Sequence, residues 1–241
     1  MGKAFLGVVA LLAIPATAWA GPPFMTDDPE PTDRGRWEIY GPMVEADGLG
    51  RDVSGASGVE INYGAAENLQ ITVGLPAAFS HDAGGWTWGR GDLRVSAKYR
   101  LYNKAGLQIA VFPGVSIPTA RKGLGAGRMT GLAPIWVQKD FGRWSAFGGG
   151  GYAINPGPGN RNSWTGGLAL ANQVSERLLI GVKADRSGAD TVGGKGSTSL
   201  GVGAILKLKP PFRLLASAGP TWEDHRASAG FHAFAALGVD F

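Results

Sequence analysis

Long stretches of this sequence alternate between apolar residues and other residues with a period of two. The stretch from 106 to 119 places its apolar residues at every second position: Leu107, Ile109, Val111, Pro113, Val115 and Ile117. A period of two is typical of β-strands with one apolar face. The runs at 91–102 and 229–241 exceed ten residues, whereas strands in soluble sheets most often have about five to six. Because a strand that crosses a membrane needs about 9–11 residues, these lengths favour a membrane barrel.

Twelve such strands are predicted, and the connections between them fall into two length classes. The strands are at 34–46, 54–63, 67–80, 91–102, 106–118, 128–140, 143–154, 163–175, 177–187, 197–209, 212–223 and 229–241. The short connections are at 64–66, 103–105, 141–142, 176 and 210–211, and the longer ones are at 47–53, 81–90, 119–127, 155–162, 188–196 and 224–228. The two classes alternate, as in bacterial outer-membrane barrels with short periplasmic turns and long external loops. We therefore predict an all-β fold, a transmembrane antiparallel up-and-down β-barrel of about twelve strands with periplasmic N and C termini.

The first twenty residues have the pattern of a secretory signal peptide. Lys3 precedes an apolar run at 4–14, and Ala18-Trp19-Ala20 fits a small-x-small cleavage site. The run is shorter than the roughly 20 residues that a membrane-spanning helix needs. The predicted organisation is a signal peptide at 1–20, a proline- and acid-rich periplasmic or plug segment at 21–33, and a barrel at 34–241. The predicted location is the bacterial outer membrane.

Composition excludes several other classes of protein. The chain has 40 glycines, and glycine disfavours a mainly helical protein. It has no cysteine, which excludes a disulfide scaffold, a thiolate metal site and a cysteine nucleophile. The net charge of +4 is small and dispersed, so no nucleic-acid partner is predicted.

Aromatic residues collect near both ends of the predicted strands. Near the short connections these residues are Trp37, Tyr99, Trp136, Phe141, Trp144, Phe212 and Phe241, and near the long ones they are Phe79, Trp86, Trp88, Trp164, Trp222 and Phe231. Two such girdles are typical of a barrel that lies in a bilayer, so outer-membrane lipid is a predicted partner. Phe241 ends an alternating strand and resembles the C-terminal aromatic signature by which the barrel insertion machinery recognises its clients.

The less apolar face of each strand is predicted to line the lumen. The candidate lumen and solute-path residues are Glu38, Glu60, Arg94, Lys98, Arg100, Phe112, Lys183, Asp185, Lys207, His232 and Phe234. Many other inward positions are small, which predicts the widest lumen beside strands seven, eight and ten. Two interpretations follow: a narrow channel or pocket for a small solute, or a barrel held shut by paired charges. For Arg94, Lys98 and Arg100, structural ion pairing is the simpler explanation.

The sequence does not predict an enzyme. Of the three histidines, His81 and His225 fall in predicted external loops and His232 faces inward, and none has a serine two residues away on the same strand face. No HExxH motif, nucleophile elbow or phosphate-binding loop is present, and no residues have the spacing of metal ligands. We therefore predict no catalytic residues, no metal site and no cofactor.

The segment before the first strand is rich in proline and acidic residues. It reads Gly-Pro-Pro-Phe-Met-Thr-Asp-Asp-Pro-Glu-Pro from position 21, and its candidate motif residues are Phe24, Thr26, Asp27, Asp28 and Glu30. Such a segment is neither helix nor strand. It either remains a periplasmic tail or folds into the barrel, where Phe24 would pack inside and the acids would meet inward Arg or Lys side chains.

This opening, followed by Gly35-Arg36-Trp37-Glu38, resembles the start of the family named for a MetA pathway of phenol degradation. That family consists of predicted outer-membrane barrels often described as transporters. The resemblance covers 21–40, and beyond it only the architecture is similar. It implies uptake of phenolic or other aromatic compounds and no catalytic residues. The predicted function is thus a channel or transporter for small, aromatic or hydrophobic solutes, with selectivity set by the lumen and the N-terminal segment. The alternative is a closed structural or surface-interaction barrel.

Overall fold

The computed structural model describes residues 28–224 and 229–241, which form fourteen β-strands. The predicted signal peptide lies outside the described residues. The strands are β1 (Trp37–Leu49), β2 (Asp52–Ala66), β3 (Leu69–Asp82), β4 (Gly85–Arg90), β5 (Leu93–Lys104), β6 (Leu107–Val111), β7 (Gly114–Ile117), β8 (Thr130–Phe141), β9 (Trp144–Ile154), β10 (Ser163–Gln173), β11 (Leu178–Ser187), β12 (Ser197–Lys207), β13 (Phe212–Glu223) and β14 (Gly230–Asp240). In this part of the chain no helix is long and apolar enough to cross a membrane.

The strands close into one antiparallel barrel. Neighbours in the chain pair with each other, and the last strand, β14, pairs with β1 through a register that joins Glu38 to Asp240 and Asp47 to His232. β4 continues into β5, and β6 continues into β7, so the fourteen strands make twelve spans. The predicted twelve-stranded up-and-down barrel is therefore confirmed. Closure pairs the backbone groups that an open sheet edge would expose to lipid.

Two of the spans are interrupted by residues that disturb the backbone ladder. Between β6 and β7 lies Pro113, which has no N–H to donate. The pairing resumes through Phe112 N donating to Pro134 O at 3.1 Å and Ala97 N donating to the Pro113 carbonyl at 3.0 Å. Between β4 and β5, Gly91 N donates to Pro76 O at 2.8 Å. The strands keep their direction across both breaks.

The connections at the long-loop end differ in part from the prediction. The predicted loops at 47–53 and 81–90 are instead extended hairpins, whose connections are Gly50–Arg51 and Ala83–Gly84. β3 pairs with β4 along this extension, up to the pair of Asp82 and Gly85. The connections after β7, β9, β11 and β13 are longer. Four of the six connections at this end are therefore long, as predicted, and two are short.

Side chains on the outer face form the two predicted aromatic girdles, with one exception. Trp37, Trp144 and Phe212 are exposed at the end that carries the short turns, and Trp88 and Trp164 are exposed at the other. Such belts are typical of the interfaces of a bilayer. The exception is Trp136, which is only 7% exposed. Its strand places it beside Pro134 and Gln138 on the inner face, so its assignment to a girdle is wrong.

Three glycines on the inner face lie where a neighbouring strand or a long side chain approaches closely. A Cβ atom on Gly149 would lie 1.9 Å from the carbonyl oxygen of Ile135, and one on Gly151 would lie 2.7 Å from Cα of Pro134. A Cβ atom on Gly201 would meet the side chain of Lys183 at 3.0 Å. These glycines allow neighbouring strands and long side chains to approach each other. The prediction that the lumen is widest beside the seventh, eighth and tenth predicted strands stays a prediction.

We expect Gly149→Val to destabilise the barrel, because its Cβ would overlap the backbone of β8. Overpacking of this kind costs about 1–3 kcal/mol. The matched control is Ala146→Val on the same strand, whose side chain points to the outer face. The free energy of unfolding, measured by urea titration in detergent micelles, should fall for Gly149→Val and change little for the control. Equal stabilities of the two variants would contradict this account.

Candidate functional site

The described end of the N-terminal segment lies inside the barrel. Asp28 is 4% exposed, and Pro29 is one of the most deeply buried residues. Thr32 donates its backbone N–H and its hydroxyl to Oε1 of Gln70, at 2.7 Å and 3.0 Å. Of the two predicted arrangements, the structure therefore places residues 28–32 within the barrel rather than in a periplasmic tail. Phe24, Thr26 and Asp27 lie outside the described residues.

Lys98 is the main cationic contact of this segment. Its Nζ lies 3.5 Å from Oδ1 of Asp28 and donates to the carbonyl oxygen of Glu30 at 3.3 Å. The same ammonium lies 5.0 Å from the ring centroid of Phe112, within the range of a cation–π interaction. The lysine is 4% exposed. Its burial requires paired partners, and the N-terminal segment supplies two of them.

The wall around this contact is a network of uncharged polar groups. Gln70 Nε2 donates to Asn62 Oδ1 at 2.8 Å and to the Thr72 hydroxyl at 2.9 Å, and that hydroxyl donates to Asn62 at 2.6 Å. All three side chains are at most 4% exposed. Because each side chain has defined partners, the network fixes the position of the Gln70 side-chain amide, whose oxygen accepts the hydrogen bonds from Thr32.

Arg213 joins the two ends of the barrel sheet. It is 4% exposed and donates to Glu38, to the hydroxyl of Tyr40 at 2.7 Å and to Oδ2 of Asp240 at 3.0 Å. Its partners belong to β1 and β14, so this cluster crosslinks the seam where the barrel closes. The Thr32 hydroxyl also donates to Glu38 at 3.4 Å, which connects the N-terminal segment to the seam.

Two apolar clusters lie elsewhere on the inner face. Tyr40, Ile205, Leu215 and Ala236 form one buried cluster, and Phe234 packs against it. A second buried cluster lies further around the wall and consists of Phe147, Ala169 and Ala171. The two clusters form an apolar wall from β9 around to β1, which is interrupted by the buried side chains of Lys183, Arg213 and His232, and the network on β2 and β3 forms a polar wall.

The remaining predicted lumen residues lie on the inner face in different settings. Lys183 pairs with Asp185 on its own strand, with Nζ and Oδ2 2.8 Å apart. Arg100 donates to Asn68 and to Gln108, each at 3.0 Å, which is a structural contact near the turn. The partly buried members of the predicted set are Glu60, Arg100, Phe112, Asp185, Lys207 and Phe234, while Arg94 is exposed.

Arg94 borders a cavity at the long-loop end. The cavity has a volume of about 490 Å³, and Glu45, Asp47 and Asp92 also line it. Asp92 accepts hydrogen bonds from the backbone N–H groups of Ala120 and Ala126 at 3.0 Å and 2.9 Å. These bonds hold the loop between β7 and β8 over the mouth of the barrel.

A backbone bulge in β1 brings acidic residues to this cavity. One extra residue between Tyr40 and Met43 shifts the register against both neighbouring strands. A bulge of one residue reverses which positions face inward. Glu45 and Asp47 therefore face the lumen, although simple alternation from Glu38 assigns them to the other face. The signal in the sequence is Pro42, because proline inside a strand often marks a bulge.

His232 lies across the seam from these acids. Its Nδ1 is 2.9 Å from Oδ1 of Asp47, and the ring is 2% exposed. Glu45, Asp47 and His232 each offer a possible metal-ligand atom, and these atoms lie within 4.8 Å of one another. The sequence predicts no such group because Asp47 and His232 are 185 positions apart.

No protein-family model matches the chain. No curated protein matches it either. The resemblance of residues 21–40 to the phenol-degradation family therefore stays a prediction.

Solved structures of outer-membrane barrels do resemble this fold. The COG4313 outer membrane channel from Pseudomonas putida F1 has a TM-score of 0.69 at 14% identity, over 87% of this chain and 96% of the channel. The translocator domain of the autotransporter NalP from Neisseria meningitidis has a TM-score of 0.56 at 17% identity, over 85% of this chain and 88% of the domain. The beta domain of the Bordetella autotransporter BrkA has a TM-score of 0.53 at 16% identity, over 86% of this chain and 99% of the domain. At these identities the comparisons show the fold, which is that of outer-membrane β-barrels.

We expect rising pH to weaken the insertion of the N-terminal segment. Burial, together with the nearby carboxylate of Asp28, raises the pKa of Glu30 from 4.5 to about 8. Between these two pH values the carboxyl of Glu30 therefore holds a proton in the inserted segment. In a released segment, where its pKa is ordinary, it gives this proton up. This contribution to insertion is fully present below pH 4.5 and is lost as the pH rises through about 8. Since the chain has no cysteine, a fluorophore on Asp33→Cys can report the release.

The matched variants are Glu30→Gln, which cannot titrate, and Glu67→Gln, which removes an exposed carboxyl at the turn between β2 and β3. Only Glu30→Gln should abolish the change in fluorescence between pH 6 and 9. An unchanged titration curve in Glu30→Gln would exclude this carboxyl as its origin.

Proposed function

We propose that this chain is an outer-membrane channel for small hydrophobic or aromatic solutes, whose lumen side chains and N-terminal segment set selectivity. The single observation that supports this most is that the inner face combines an apolar cluster, against which Phe234 packs, with polar groups that hold the N-terminal segment through Lys98 and Gln70. Small-molecule sites typically combine an apolar lining with a few placed polar groups. The resemblance of the opening residues to a phenol-uptake family points to the same class of solute.

The polar contacts also suit a segment that can leave the lumen. Besides its contacts with Lys98, the segment is held by hydrogen bonds of Thr32 to Gln70 and Glu38. Hydrogen bonds of this kind contribute about 0.5–1.5 kcal/mol each, or about 1.5–3 kcal/mol when a charged group takes part. Single contacts of this strength can be exchanged for contacts with water when the segment leaves the lumen. In this proposal, release opens a path along the apolar wall.

A transport assay tests the proposal directly. Liposomes that contain the purified barrel should take up phenol faster than protein-free liposomes, and planar bilayers should show discrete conductance steps. Lys98→Gln should increase both signals, because it removes the ammonium that holds Asp28 and Glu30. The matched control is Lys139→Gln, which removes a lysine that donates to a turn carbonyl on the outside. No uptake and no conductance from any of these proteins would favour the closed structural or surface-interaction barrel.

Replacing an inward aromatic residue should change selectivity rather than general permeability. Phe234 packs against the apolar cluster inside, whereas Phe231 on the same strand is 44% exposed on the outer face. An aromatic contact contributes about 0.5–1.5 kcal/mol beyond its buried area. We therefore expect Phe234→Ala to lower the uptake of phenol about two- to tenfold relative to glycerol. Phe231→Ala should leave this ratio unchanged, and an equal effect of both variants would contradict a solute path along the apolar wall.

A further inference from the structure

We propose that Glu45, Asp47 and His232 bind a divalent transition-metal ion at the long-loop end of the barrel. The register of the closing seam creates this group. Asp47 and His232 form a directly opposed pair between β1 and β14, and Glu45 lies two residues from Asp47 on the same face. Side chains of opposed pairs begin about 4.5–5.5 Å apart, so ligands at these positions can converge on one point.

The distances are close to those of a metal site. The three candidate ligand atoms lie within 4.8 Å of one another, and Nδ1 of His232 is 2.9 Å from Oδ1 of Asp47. Ligands about 2.0–2.2 Å from a zinc ion lie at most about 4.4 Å apart. Small side-chain rotations are therefore sufficient to bring all three groups into coordination.

The histidine carries bonding capacity that its described surroundings do not use. The ring is 2% exposed, and its Nε2 is buried with no hydrogen-bond partner among residues 28–224 and 229–241. The contact of Nδ1 with Asp47 leaves Nε2 without a partner among these residues, and Glu45 adds a second carboxylate within 4.8 Å. A divalent ion among the three groups would compensate both carboxylates at once.

The carboxylates remain accessible to a metal ion from solution. The side chain of Asp47 is 55% exposed, and both acids border the cavity of about 490 Å³ at the mouth. Arg94 and Asp92 line the same cavity, and Asp92 is engaged by loop N–H groups. Three protein ligands next to this space leave coordination positions for water, which is typical of an exchangeable rather than a structural site.

The donor set defines the class of metal. One imidazole nitrogen and two carboxylate oxygens suit zinc and its first-row neighbours, and the chain has no cysteine that would select softer ions. The pattern does not suit Ca²⁺, which prefers six to eight oxygen ligands. Zn²⁺ is therefore the appropriate probe for binding, and Co²⁺ is the appropriate spectroscopic probe.

Calorimetric titration of the purified barrel in detergent with Zn²⁺ tests the proposal independently of any transport. We expect one saturable site. Even the loss of an outer-shell group costs about 10–100-fold in metal affinity, so we expect His232→Ala to raise the Kd at least about tenfold. His81→Ala is the matched control, because this histidine contacts the carbonyl oxygen of Arg51 outside the cluster. It should leave the affinity unchanged.

Two further variants keep the test decisive if His232→Ala does not fold. Asp47→Asn and Glu45→Gln keep the shape of the site and should each weaken binding. Visible absorption of bound Co²⁺ should change in each of them, which a purely structural role would not produce. Zn²⁺ binding that is equal in wild type and in all three variants, or that is lost only in His225→Ala, would overturn the proposal. So would the absence of binding to the wild-type barrel.

Discussion

The whole structure depends on one constraint, which is that a backbone in the hydrocarbon core of a bilayer must form its hydrogen bonds within the protein. No water is available in the bilayer core, so each N–H and C=O group must be paired within the protein. The seam between β1 and β14 meets this requirement by joining the ends of the sheet. Arg213 reinforces the seam by contacting Tyr40 and Asp240 across it. Closure in turn creates an interior, and within the membrane the inward positions of each strand keep charged side chains away from lipid.

The charges in this interior have specific partners. Lys98 meets the N-terminal segment, Arg213 meets the seam, and Lys183 meets Asp185. An unpaired charge in such a setting is costly, and the ion pair with Asp28 of the N-terminal segment offsets part of this cost for Lys98. The apolar clusters need no such partners. In the proposed function they supply the surface that a small hydrophobic solute contacts, while the polar wall holds the segment.

The sequence predicts the spans well because alternation reports directly which face of a strand meets lipid. It predicts less where a single residue changes the backbone. The bulge at Pro42 reverses the inward positions of β1, so the contribution of Glu45 and Asp47 to the lumen is not evident from alternation. The inward position of Trp136 is hidden because Ile135 and Val137 flank it with equally apolar side chains. Contacts such as that of Asp47 with His232 depend on closure, which brings together residues that no local spacing relates.

The central claim is that the N-terminal segment controls passage through the lumen. The most direct measurement is solute uptake by a double variant, Thr32→Cys with Gln70→Cys, before and after treatment with a short, reducible bis-thiosulfonate crosslinker. The chain has no cysteine of its own, and these two side chains contact each other in the structure. This account predicts that crosslinking abolishes phenol uptake and that reduction restores it. Equal uptake by the crosslinked and the reduced protein would contradict it.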